Sequence, residues 1–129
     1  MTSDQSNGPL SGIRVVDLTS MISGPVATMM LADQGADVIK VEALHGDLVR
    51  GAGATRAGVT STFISSNRSK RALAIDLKTP EGVEALKKLL ATADVMVQNF
   101  RPGAIERMGF GEEVVRGLKE DIIYVSISG

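Results

Sequence analysis

A chain of 129 residues is long enough for one domain with an adequate core, and 43% hydrophobic with 22% charged residues is a globular composition. A net charge of -1 argues against a nucleic-acid surface or a basic membrane patch. The absence of cysteine excludes disulfides, thiolate metal sites and cysteine nucleophiles, and a single histidine, His45, excludes a histidine metal cluster.

Residues 1–9 are polar and lack the apolar core of a secretory signal, so a disordered tail is expected before a domain spanning 10–129. No apolar run approaches the ~20 residues of a membrane span, and a cytoplasmic location is the expectation. Residues 13–18 (IRVVDL) are short, β-branched and largely apolar, the pattern of a buried parallel strand. A loop over 19–24 follows, and Pro25 marks a helix start because its missing N–H is not needed in the first turn. That helix, 26–34, ends at Gly35, a residue suited to a left-handed cap. A second strand over 37–42 completes a βαβ unit.

The stretch 43–70 has glycines at 46, 51, 53 and 58 and little periodicity beyond a helical turn around 62–66. Connections of that length are usually functional or mobile. A third strand over 72–77 leads to Thr79-Pro80-Glu81, a capping residue, a proline and an acid in the order of a helix N-terminus. Val83, Leu86, Leu89 and Leu90 form the buried stripe of this helix. Then come a strand over 94–98, the loop Asn99-Phe100-Arg101-Pro102-Gly103, helices over 104–108 and 112–118, and a strand over 122–127.

Five strands alternating with helices predict an open, mostly parallel α/β sheet with helices on both faces. The first helix is apolar around most of its circumference, and the chain ends as the fifth strand reaches the functional edge of the sheet. Both features predict that a piece is missing.

The chemistry-bearing motifs narrow the class. No G-x-G-x-x-G joins the first strand to its helix and no G-x-x-x-x-G-K-[ST] occurs, so nicotinamide and P-loop sites are disfavoured. Arg68, Lys70, Arg71 and Lys78 form a basic cluster around strand three, ordinarily a solvated face. Arg101 and Arg107 follow strand four, and strands three and four are expected to end near one another. Cations converging around Ile75 and Phe100 suit a phosphorylated purine. The loop Thr19-Ser20-Met21-Ile22-Ser23-Gly24 offers helix-start amides and two serines to an anion, or simply a cap in Ser23.

Three blocks, GIRVVDLTSMISGPVATMMLADQGADVIKVE, NRSKRALAIDLKTPEG and DVMVQNFRPGAIERMGFG, resemble successive blocks of the family III CoA-transferases, whose members include formyl-CoA transferase, carnitine CoA-transferase and the α-methylacyl-CoA racemases. The resemblance implies a Rossmann-like large domain, a separate small domain and an interlocked homodimer, with this chain a fragment of a longer protein. It implies acyl-CoA and a carboxylic acid acceptor as substrates, coenzyme A as the carried group and no metal. In such transferases an aspartate attacks the thioester, and an aspartyl-CoA thioester follows. The resemblance places that aspartate beyond Gly129, so neither Asp17 nor Asp33 is its counterpart and no catalytic residue is expected here.

The same resemblance puts Ser20, Met21, Ile22 and Ser23 beside the pantetheine arm and thioester, and Ile75 and Lys78 at the nucleotide. It places Asn99, Phe100 and Arg101 along the same cleft and Arg107 near the phosphates. Ile22 stands where formyl-CoA transferase has a glutamine, which points away from formyl and oxalyl substrates. Ala43 stands where several members carry an arginine, which leaves Arg71 or Lys78 to supply that charge. A racemase of the same family and a non-catalytic CoA-binding module are the alternatives.

Overall fold

The computed structural model describes residues 8–51, 55–56 and 59–128. Residues 1–7 of the expected tail, glycines 53 and 58, and Gly129 lie outside the described residues. Residues 8 and 9 already belong to a turn: Ser11 N–H bonds the Gly8 carbonyl at 3.0 Å and Leu10 N–H bonds the Gln34 carbonyl at 2.9 Å.

The elements in chain order are β1 (Arg14–Asp17), α1 (Ser23–Asp33), β2 (Asp37–Glu42), a 3-10 turn (Leu48–Gly51), β3 (Thr55–Arg56), β4 (Val59–Thr60), α2 (Ser61–Asn67), β5 (Arg71–Ala74), α3 (Pro80–Leu90), β6 (Val95–Gln98), α4 (Ala104–Arg107), α5 (Glu112–Leu118) and β7 (Ile123–Ser126). Five strands pair in the order β5-β2-β1-β6-β7, every pair parallel, while β3 and β4 form a small antiparallel hairpin. The expected open α/β sheet is thus present. That hairpin is absent from the sequence expectation because two-residue strands carry no readable period. Strands three and four of the expectation, β5 and β6, are not neighbours: β2 and β1 stand between them.

Alternation along the central strands loads both faces of the sheet. Val16 and Met96 face one side with Leu86 and Leu90 of α3, Phe110 and Val115. Val15, Val38 and Val97 face the other with Ala32 of α1. Two cores on opposite faces make the sheet doubly wound. The apolar α1 is covered by β1, β2 and β6 and also by α2. Met29 is buried and Met30 is exposed.

Caps explain the helix limits. In α1, Pro25 is the third helical residue, not the first, a position still free of acceptor demand because the first four N–H groups have no intrahelical partner. Gly35, at φ 103°, closes the helix: its N–H bonds the Ala32 carbonyl at 3.0 Å and Ala36 N–H bonds Leu31 at 3.1 Å. In α3, Thr79 Oγ1 accepts from Gly82 N–H at 3.1 Å ahead of Pro80, as the sequence predicts.

Two helical glycines predict opposite outcomes for one substitution. Alanine in a helix is ordinarily worth about 0.5–1 kcal/mol over glycine. At Gly117 a Cβ meets nothing within 4 Å, so Gly117→Ala should stabilise by about that amount. At Gly82 a Cβ would lie 1.9 Å from the Asp76 carbonyl oxygen, so Gly82→Ala should destabilise. Urea unfolding of the two variants reads both signs.

Candidate functional site

The carboxyl ends of β2, β1 and β6 meet where the strand order reverses, between β1 and β6, the usual ligand crevice of such sheets. Two buried ion pairs organise this edge. Lys40, between the buried Ile39 and Val41 of β2, is 1% exposed and cannot reach water, so its ammonium needs a carboxylate. Asp47 supplies it at 2.9 Å, and Lys40 also donates to the Thr19 carbonyl at 3.2 Å. On the other side of the loop, Lys70 donates to Asp17 at 2.8 Å, to the Pro25 carbonyl at 3.0 Å and to Asn67 Oδ1 at 2.7 Å. Asp17, wholly buried, also accepts from Thr28 Oγ1 at 2.7 Å and from Thr19. Among the described residues every buried side-chain nitrogen and oxygen has a partner. Asp17 is therefore a saturated structural carboxylate, with no lone pair left for a substrate.

The pKa directions follow from these contacts. Burial alone would raise the Asp47 carboxyl, but the Val49 and Met21 N–H groups and Lys40 outweigh it and hold the group below the usual carboxylate range. Glu42 is likewise lowered, first by the Arg50 guanidinium, which bonds it at 2.8 and 2.7 Å. Arg50 in turn lies 3.8 Å over the Phe63 ring, a cation–π contact that fastens α2 to the 3-10 turn. Burial pushes the Lys70 ammonium down against the pull of Asp17.

These pairs hold the loop after β1. Ser20 is gripped at both ends of its peptide by Asn99, whose Oδ1 accepts from Ser20 N–H at 3.0 Å and whose Nδ2 donates to the Ser20 carbonyl at 2.9 Å. Met21 has φ 69°, a left-handed conformation that costs a non-glycine residue roughly 1–2 kcal/mol. Asp47 accepts its N–H at 3.0 Å. Ser23 is the first residue of α1 and not its cap; the cap position is Ile22, with no side-chain cap bond.

Two cavities open beside this loop. One, of about 300 Å³, is lined by Leu18, Val41, Ile75, Phe100 and Met108 with Glu42, Asp76 and Lys78 among its polar groups. It has apolar walls and the volume of small-ligand pockets. The other, about 510 Å³, is lined by Ser23, Asn99, Phe100, Arg101, Pro102, Ile127 and Ser128. Phe100 lines both, and its N–H is held by Gln98 Oε1 at 2.9 Å. Although β5 and β6 are separated, the segments leaving them reach one cavity because Leu18 and Val41 floor it from the strands between.

The structure thus brings Ile75, Lys78 and Phe100 together, and Ser23, Asn99 and Arg101 together beside them. Ser20 is held by Asn99; Met21 and Ile22 are exposed but line neither cavity. Arg107 lies against the N-F-R-P-G turn, where a Cβ on Gly103 would come within 2.9 Å of its guanidinium, and lines neither cavity. Arg71 departs from the expectation altogether. It opens β5 at the amino edge of the sheet, bonds Asp37 at 2.9 and 2.8 Å and lines neither cavity. The basic cluster is four separate residues: Arg68 pairs with Asp33, Lys70 with Asp17, Arg71 with Asp37, and Lys78 lines the cavity.

Sequence reasoning overlooked Lys40, Asp47, Glu42, Arg50 and Phe63. The available signal was a lysine set among Val38, Ile39 and Val41 in the strand DVIKVE, a buried charge that had to find a partner. No group of three or more metal-ligating side chains occurs among the described residues, and no described helix is long and apolar enough to cross a membrane.

Removing one member of a buried pair strands the other. Asp47→Ala should cost about 3–5 kcal/mol in urea unfolding, because Lys40 stays buried without its carboxylate. Acid should act alike. Asp47 and Glu42 have folded-state values below their unfolded ones, so the stability they contribute is present above about pH 4 and is lost as pH falls through the folded values. A urea midpoint that does not fall between pH 5 and pH 3 would contradict this.

Comparison with known proteins agrees with this architecture. The family described as CoA-transferase family III matches residues 10–129. The chain is 45% identical over 130 residues to succinyl-CoA:glutarate CoA-transferase of Homo sapiens, covering 98% of this chain and 30% of that protein. It is 46% identical over 121 residues to formyl-CoA:oxalate CoA-transferase of Streptomyces coelicolor, covering 93% and 30%. A crystal structure of a CAIB/BAIF family protein from Brucella suis superposes with a TM-score of 0.90 at 38% identity, over 95% of this chain and 34% of that one. The chain spans about a third of the length of these relatives. With that match over nearly all of its residues, the chain belongs to CoA-transferase family III.

Proposed function

We propose that this chain supplies the coenzyme A-binding part of an enzyme that moves CoA from an acyl-CoA thioester to a carboxylic acid. The observation that carries the reading is the pair of cavities sharing Phe100 at the carboxyl edge of the sheet. Ile75, Leu18 and Val41 offer apolar surface to an adenine, and Lys78 offers charge to a phosphate. The larger cavity, with Ser23, Asn99 and Arg101, takes the pantetheine arm and the thioester. Met21 and Ile22 flank the acyl end, and Arg107 meets the phosphates from the rim.

In the reaction proposed for the full-length protein, an aspartate outside this chain attacks the thioester carbonyl. CoA leaves as thiolate and a mixed anhydride remains. The thiolate then attacks the aspartyl carbonyl, releasing the first carboxylate and forming an aspartyl-CoA thioester. The acceptor carboxylate repeats the two steps in reverse, ending in a new acyl-CoA and free aspartate. Full-length protein would work as an interlocked homodimer in the cytoplasm. Relatives named for formyl-CoA with oxalate and for succinyl-CoA with glutarate support the substrate class, acyl-CoA and a carboxylic acid.

Calorimetry on this chain should show weak binding of CoA and of adenosine 3′,5′-bisphosphate, and none of NAD. Lys78 is exposed, so Lys78→Ala should cost at most about 1 kcal/mol of that affinity. Absence of CoA binding would remove the reading. The chain alone should show no turnover with succinyl-CoA and glutarate, and an aspartyl thioester found on it by mass spectrometry would overturn the assignment of the nucleophile to a residue outside it.

A further inference from the structure

Asp47 lines neither cavity, yet its carboxylate acts on the loop that shapes the edge between β1 and α1. From Thr19 to the Met21 N–H, side chains claim every backbone polar group. Thr19 N–H goes to Asp17 at 2.9 Å and its carbonyl to Lys40 at 3.2 Å. Asn99 takes both groups of Ser20, and both Asp47 oxygens lie within reach of Met21 N–H, at 3.0 and 3.2 Å. A loop bonded in this way is held at each of these groups. Its left-handed residue, Met21, is one that a non-glycine side chain occupies only when its surroundings impose it. Two residues on, Ser23 begins α1 and enters the wall of the larger cavity.

Asp47 is itself fixed. Lys40 bonds it at 2.9 Å, it accepts from Val49 N–H at 3.0 Å, and its own N–H donates to Glu42 at 2.7 Å. A carboxylate fully buried, immobilised by a lysine and aimed at one peptide N–H of the loop is placed to set that loop's direction.

We propose that Asp47, held by Lys40, is a positioning residue of the thioester end of the site. Its carboxylate sets the turn at Met21 and thereby the direction in which Ile22 and Ser23 meet the acyl end of a bound CoA thioester. The proposal rests on the CoA reading given above. It predicts a division of labour: the nucleotide cavity at Ile75 and Lys78 does not depend on Asp47, while the acyl end does.

The test compares two probes, acetyl-CoA and adenosine 3′,5′-bisphosphate, by calorimetry on the chain and two variants. In Lys40→Met/Asp47→Leu an apolar pair replaces both charges, a change that commonly leaves stability intact. Asp47→Asn, made together with Lys40→Met so that no charge is left buried alone, keeps an acceptor for Met21 N–H. Wild type should prefer acetyl-CoA. The Lys40→Met/Asp47→Leu variant should bind the bisphosphate as wild type does and lose roughly threefold to tenfold in acetyl-CoA affinity, because the loop must be ordered on binding. Lys40→Met/Asp47→Asn should retain the preference. Equal affinities in the wild type, an unchanged ratio in Lys40→Met/Asp47→Leu, or a loss in Lys40→Met/Asp47→Asn as large as in that variant would each overturn the positioning role. A wild-type chain that binds neither probe would instead overturn the CoA reading itself, which keeps the two failures apart.

Discussion

A lysine buried among the apolar residues of a central strand is the constraint from which the carboxyl edge is built. Lys40 stands between Ile39 and Val41, all three buried, and its ammonium has no route to water. Glu42, two residues along β2, is engaged by Arg50, and the carboxylate that bonds Lys40 comes from the connection that follows, at Asp47. Asp47 draws that aperiodic connection down onto the sheet, and the Glu42–Arg50–Phe63 contacts hold it there. The second pair, Asp17 with Lys70, ties the end of β1 to the residue just before β5. Pairs of this kind contribute little net stability compared with an apolar replacement, but each is costly to break on one side. Their effect here is to hold the start of the β1 loop, from Thr19 to Met21.

The strand order then decides what that loop can do. With β1 and β6 adjacent and their connections diverging to opposite faces, a crevice opens between them. The loop after β1 forms one wall and N-F-R-P-G the other. Asn99 joins the walls through Ser20, and Phe100 separates the two cavities while belonging to both.

The division between the basic residues shows why composition alone misleads. Arg68, Lys70, Arg71 and Lys78 are close in sequence, and a charge count treats them as one patch. Arg71 and Lys78 bracket β5 and its exit, so the length of the strand carries them to opposite ends of the sheet. Lys70 turns inward, and Arg68 reaches back to α1. Of the four, Lys78 lines the cavity at Ile75 and Phe100.

Much of the fold was legible in the sequence, because its signals are local. The β-branched runs of β1 and β2, the Thr79-Pro80 start and apolar stripe of α3, and Gly35 after α1 each act within a few residues, and the structure places those elements within a residue or three of expectation. The resemblance of whole blocks singled out Ile75 and Phe100, and the fold brings both to the wall of one apolar cavity. What only the tertiary structure decided is which distant groups meet. The partner of Lys70 lies 53 residues away, at Asp17, and no pattern in the chain announces it. Nor does any local signal say that β5 sits beside β2, which sends Arg71 to Asp37 and away from the site. Secondary structure follows from neighbours along the chain, whereas the pairing of buried charges follows from the packing of strands that the sequence holds far apart.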